Sequence, residues 1–243
     1  MFNLIVFSLT LFVMYLINVV LHEAAHGMIA AKMEVPVTGC DIGTGPVVKT
    51  WYTKNGCPVR IHPVIINASV MLDPYRLDET PVSKRILIHA AGSASNIVLA
   101  MALSLIYSLF SCLHFRSMSL IGANFVKCCS ESMLYPFRII CGIIHPAVHS
   151  PGGSSALNLL MSADIIQIIA AAVMMAAVMS ASLGILNLLP FVPLDGGHIV
   201  IALIGKIPEL VNGKKIRART EDLLYVLSEV SALLFLGVIF LRL

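Results

Sequence analysis

Val19-Val20-Leu21-His22-Glu23-Ala24-Ala25-His26 joins the end of a long apolar run to a pentad with two histidines four apart, and that junction decides what kind of protein this is. Residues 2–21 contain no charged side chain. As a helix rising about 1.5 Å per residue they span roughly the 30 Å of hydrocarbon in a bilayer. The pentad is therefore reached near the far side of the lipid. Histidines at this spacing share one helical face, so both imidazoles can bind one ion, and the glutamate between them is close enough to take a proton from water. Polar groups at membrane depth cost on the order of several kcal/mol unless paired or coordinated, so the pentad reads as chemistry rather than packing.

Composition extends the reading. The 243 residues are 58% hydrophobic and 12% charged, with a mean hydropathy of +0.91, which places the chain among α-helical polytopic membrane proteins. Long uncharged runs at 2–21, 86–110, 165–189 and 223–241 predict about four transmembrane helices. The segments expected are a first span over 2–31, a cytoplasmic β region over 32–85, a second span over 86–110 and an outer loop over 111–163. A third span over 164–189 follows with a motif loop at 190–198, then a cytoplasmic loop over 199–221 and a fourth span over 222–241. The first run lacks a basic leader and is too long for the core of a signal peptide, so it is expected to stay in the mature protein.

Lysine and arginine number seven between Lys32 and Arg85, three between Arg116 and Arg138, and five between Lys206 and Arg219. The positive-inside rule then makes the first and third loops cytoplasmic, with both termini outside and the pentad near the cytoplasmic end of its helix. The net charge of +3 is accounted for by topology and lipid contacts, and no basic patch interleaved with aromatics points to nucleic acid. Cys40 and Cys57 are expected to stay reduced, while Cys112, Cys128, Cys129 and Cys141 face the outer side, where disulfides and free thiols are both open.

A catalytic zinc on two histidines needs a third protein ligand and an open fourth position. Asp195 is the candidate, in Asn187-Leu188-Leu189-Pro190-Phe191-Val192-Pro193-Leu194-Asp195-Gly196-Gly197-His198. The prolines end the third span, and Gly196-Gly197 lets the backbone turn tightly, so Asp195 is offered on irregular backbone facing a polar cavity. The first and third spans run in the same direction, so pentad and aspartate reach the same side.

The pair of motifs, His22-Glu23-x-x-His26 with Asn187-x-x-Pro190 and Leu194-Asp195-Gly196, resembles the site-2 protease family of intramembrane zinc metalloproteases, over roughly residues 1–110 and 160–243. The resemblance implies one Zn2+ per chain held by His22, His26 and Asp195, with Glu23 as general base. Asn187, Pro190 and Asn96 are implied near the substrate, Asn96 with even claims of function and packing. One departure is Val192, where the family usually has proline; Pro193 follows it. The implied substrates are single-span membrane proteins already trimmed outside, such as anti-sigma factors, or leftover signal peptides. The implied location is a bacterial inner membrane, with the site toward the cytoplasm. The outer loop is short for an inserted PDZ domain, and no nucleotide-sensing domain is expected after the last span.

Around the motifs, Thr50–Thr53 and Pro58–Ile61 flank Lys54-Asn55-Gly56-Cys57, a strong hairpin signal, and the apolar run 64–72 is too short to span. The family has a membrane-dipping β element here, and an exposed strand edge can hold an unwound substrate by β-addition. A plain structural hairpin is the other reading. The small residues from His89 to Asn96 permit close helix approach. His89 reads as an interfacial or hydrogen-bonded histidine, Asn18 as a partner that orients His22 from one turn back or a helix-packing polar group, and Glu229 as interfacial or inward-facing. The stretch 133–149, with Pro136, Arg138 and Pro146, reads as interfacial or re-entrant. Two rival functions stand beside the protease. One is a membrane-anchored zincin with a soluble-facing site and Glu79 or Glu131 as third ligand; the other is a non-catalytic metal-binding or helix-capturing scaffold.

Overall fold

The computed structural model describes residues 2–115, 121–144, 163–212 and 218–240. Among them the helices are α1 (Phe2–Lys32), α2 (Pro74–Glu79), α3 (Val82–Phe115), α4 (Ile121–Ile144), α5 (Ile165–Asn187), α6 (Asp195–Asn212) and α7 (Ala218–Phe240). The strands are β1 (Val37–Thr44), β2 (Lys49–Tyr52), β3 (Pro58–Ile61) and β4 (Val64–Leu72). Three helices are long and apolar enough to cross a membrane: Phe2–Lys32, Val82–Ser111 and Ile165–Asn187. The apolar stretch of α7, Leu223–Leu234 among the described residues, is shorter.

α1 runs unbroken through the pentad because nothing in residues 2–26 breaks it: the first glycine is Gly27 and no proline occurs before Pro36. It ends where Glu34 turns left-handed at φ 66°. The Val35 amide then donates to Ala30 at 2.9 Å and the Glu34 amide to Ala31 at 3.2 Å, the paired bonds of a Schellman cap. Val35 and Ala30 are both buried in one apolar cluster with Ile88, packed by Leu72 and Leu77, and this cluster fixes the end of α1 against the start of α3.

The chain divides into two compact units. In the first, residues 2–18 and 96–185, the core is Leu103, Val173, Ala176 and Ala177, with Met14, Leu99 and Tyr107 packed on it. The buried face of α5 is mostly alanine and other small residues, so helix backbones approach closely there. The Ser180 hydroxyl donates to the Asn96 carbonyl at 2.8 Å.

The second unit, residues 19–95 and 186–241, holds a four-stranded sheet in the order β2-β3-β1-β4. The expected hairpin is present: β2 and β3 pair antiparallel, Lys49 opposite Ile61, around a turn closed by Gly56 N–H to Thr53 O at 2.9 Å. It forms one side of a larger sheet, because β1 pairs parallel with β3 and antiparallel with β4, setting Cys40 opposite both Val59 and Val70. The run 64–72 is thus an edge strand. Asp41 on β1 is gripped by Arg60 through bonds of 2.6 and 3.0 Å, and His62 lies 3.3 Å away. The Arg60 guanidinium holds the Asp41 carboxyl below its usual range. Burial pushes the Cys40 thiol up to about 11.

Two stretches read from sequence as loops are helical. α6 begins at Asp195 itself and fills most of 199–221, and α4 occupies much of 111–163 with Pro136 inside it. A proline removes one ladder bond, which a long helix can carry, and Arg138 is satisfied by pairing with Glu131. Residues 145–162 of that loop, and the side chains of Cys112 and Cys141, lie outside what the structure describes.

Candidate metal centre

Four segments of the second unit supply the site. His22, Glu23 and His26 come from α1, Gly92 and Ser93 from α3, Asn187 from the end of α5 and Asp195 from the first turn of α6. His22 Nε2 lies 3.1 Å from His26 Nε2 and 3.2 Å from an Asp195 oxygen, and His26 Nε2 lies 3.3 Å from the other oxygen. Both histidines are buried. Among the described residues His22, His26 and Asp195 form the group able to hold a metal.

The local chemistry fits a cation. His26 Nδ1 is 2.7 Å from the Ile88 carbonyl, which can only accept, so Nδ1 carries the proton. In the neutral ring Nε2 is then a bare lone pair, and it points at a carboxylate and at a second imidazole. Acceptors converging this closely repel unless a positive charge lies among them, and a backbone carbonyl on the far nitrogen is the usual way a metal-binding histidine is oriented. The spacing agrees as well: atoms 2.0–2.1 Å from a tetrahedral zinc lie about 3.3 Å apart.

Gly92 keeps this space open. A Cβ built there would fall against the Nε2 atoms of both His22 and His26, so any side chain would occupy the ion's position. Gly196 serves the approach of Asp195, because a Cβ there would run into the Leu188 and Leu189 carbonyls. The two glycines after Asp195 are thus required by close packing of α6 on the preceding turn. The Val192 amide, at the departure from the family pattern, donates to Ser228 Oγ at 2.8 Å. Burial alone would raise the Asp195 pKa; the adjoining His22 and His26 reverse this and hold it well below the carboxylate range. Ser93 Oγ adds a bond to Asp195 at 3.3 Å.

Glu23 sits between the histidines in sequence but turns to the sheet: its Oε2 accepts from the Val70 amide of edge strand β4 at 3.0 Å. Asn187 reaches the centre, its amide nitrogen 3.3 Å from His22 Nε2. Asn96 belongs to the other unit, where it is buried and its carbonyl is taken by Ser180. Asn18 donates to Met14 one turn back, and Pro190 lies in the turn between α5 and α6. Glu79 pairs with Arg76 and Glu131 with Arg138, so neither joins the histidines. Glu229 is exposed on α7.

Sequence reasoning gave His89 an interfacial or hydrogen-bonding place and passed over His198. His89 and His198 stack with ring centroids 5.0 Å apart, Tyr225 leans on His198 at 5.8 Å, and both imidazoles line the cavity that also contains Glu23, His26 and Asp195. The signal was available for His198, which follows Asp195 by three residues and so shares its helix face.

The model of peptidase family M50, the site-2 protease family, matches residues 10–235. The chain belongs to this family. A "Putative zinc metalloprotease" of Thermotoga maritima is 39% identical over 66 residues, 27% of this chain. That stretch is 12% of the relative, so this chain corresponds to a small part of its length.

Proposed function

We propose that this M50 chain is an intramembrane zinc endopeptidase that cuts peptide bonds within or beside transmembrane segments. The observation that supports this most is the convergence of His22, His26 and Asp195, with acceptor atoms facing one another and Glu23 beside them. His22, His26 and Asp195 would hold the zinc. Zinc bound there supplies Lewis acidity, activating water near neutral pH and polarising a carbonyl. The Glu23 carboxylate takes the proton of the attacking water on the oxygen not held by Val70 and passes it to the leaving amine nitrogen. Asn187, 3.3 Å from His22, is placed to donate to the substrate beside the ligand set.

A helical substrate hides its carbonyls in its own hydrogen bonds and must be unwound. Strand β4 lies at the edge of the sheet with Val70 turned toward the site, so its open side is placed to receive the unwound segment by β-addition. The substrates are single-span membrane proteins, as in regulated proteolysis or clearance of signal-peptide remnants. In this reading α7 is a fourth span, both termini lie outside, and the site faces the cytoplasm of a bacterial inner membrane, by the distribution of Lys and Arg.

The test combines metal content and cleavage. One zinc per detergent-purified chain, with far less in His26→Ala and Asp195→Ala, is expected. A model transmembrane substrate should be cut by wild type and left whole by Glu23→Gln. Full metal in Asp195→Ala, or cleavage by Glu23→Gln, would overturn the reading.

A further inference from the structure

We infer that His198 is a further catalytic residue, which donates an N–H to the scissile carbonyl oxygen as negative charge develops on it. The inference rests on the endopeptidase reading and adds a group that the pentad and Asp195 do not supply.

The cavity at the centre measures about 170 Å³ and is walled by Glu23, His26 and Asp195 together with His89 and His198. A space this small brings a carbonyl seated beside the ligand set within reach of the other wall groups. His198 is carried there by the helix that carries Asp195, one turn later on the same face, so the residue that anchors α6 at the metal also aims the imidazole. Its ring is half-buried and held from two sides, stacked within 12° of parallel on His89 and flanked by Tyr225. The stack on His89 is through the ring face, and among the described residues no hydrogen bond holds either in-plane nitrogen of His198. A fixed donor with no competing partner, on the wall of the cavity beside the ligand set, is what stabilises charge appearing on a carbonyl oxygen. Burial also pushes the His198 pKa down, which favours the neutral ring with one N–H. Glu23 and His198 then divide the work, the first handling the proton and the second the oxygen.

Packing and donation can be separated by two substitutions. His198→Phe keeps a ring to stack on His89 and removes the N–H; His198→Gln loses the ring and keeps an amide donor. Zinc per chain, kcat and KM on a transmembrane substrate, and the Kd of a phosphinic peptide, a tetrahedral mimic of the charged intermediate, should be measured for each. Expected are unchanged zinc in both, a loss of about 10²- to 10³-fold in kcat for His198→Phe with KM held, and a partial recovery in His198→Gln. The phosphinate Kd should rise in step with the fall in kcat/KM, whereas binding of an uncleaved ground-state peptide stays the same. His198→Phe as active as wild type, His198→Gln worse than His198→Phe, or loss of zinc from both would overturn the proposal and leave only a packing role. A zinc-loaded wild type that neither cleaves substrate nor binds phosphinate would remove the endopeptidase reading and this proposal with it.

Discussion

Val70→Pro tests whether Glu23 is held by the sheet. Proline removes the one N–H that bonds Glu23 Oε2 at 3.0 Å, and the position can accept it. Val70 lies opposite Cys40 across β1 and β4, yet its amide points away from β1 to the glutamate, so no ladder bond is lost. β4 is an edge strand, where proline is tolerated, and the preceding Ser69 is already extended as proline requires. A hydrogen bond to a charged group contributes about 1.5–3 kcal/mol, so a base left free to rotate should lower kcat by about 10- to 150-fold. Val70→Ala is the control: it keeps the N–H and loses the side chain that packs 3.4 Å from where a Cβ on Gly27 would stand. Both should retain zinc and a cooperative thermal transition, and in a steady-state assay only the proline variant should lose kcat. Equal kcat for the two would refute the positioning of Glu23 by β4.

Other consequences follow from the same geometry. Gly92→Ala puts a methyl where the Nε2 atoms of His22 and His26 face the ion, so zinc per chain should fall sharply while far-UV circular dichroism holds; full zinc would mean the ligand set can shift. The Asp41 carboxyl, lowered by Arg60, contributes stability that is present above its unfolded pKa and lost as pH falls through the folded value. Hydrogen exchange in β1 and β3 should therefore rise below about pH 4 in wild type, and Asp41→Asn should show less pH dependence there. With its thiol near 11 against an ordinary 9.0, Cys40 should alkylate about 100-fold more slowly at pH 8 than an unperturbed thiol, as read by mass mapping with iodoacetamide.

The parts of this molecule that could be read in advance are those where a short spacing carries the physics. His22 and His26 face one way because a helix repeats every 3.6 residues, and Asn55-Gly56 closes a hairpin because that pair accepts the turn. Asp195 was reachable because chain direction places it on the pentad's side. What escaped depends on packing between segments distant in the chain. Cys40 lies opposite both Val59 and Val70, and no local pattern announces that a parallel pair puts β1 in the middle of the sheet. The outward amide of Val70 follows from that register, and so does the orientation of Glu23. Gly92 looked like one small residue in a run that permits close helix approach; only the placement of α1 beside α3 shows that its missing side chain is the room for an ion. His198 illustrates the remaining difficulty. Its position one turn after Asp195 was visible, but its meaning rests on α6 starting at the aspartate itself, and the stretch read as an irregular loop with prolines before it and glycines within it. If Asp195 stood on a flexible loop, an imidazole three residues later would have no fixed aim. Because it stands in a first helical turn, aspartate and histidine move as one body, and a change at either should be felt at the other.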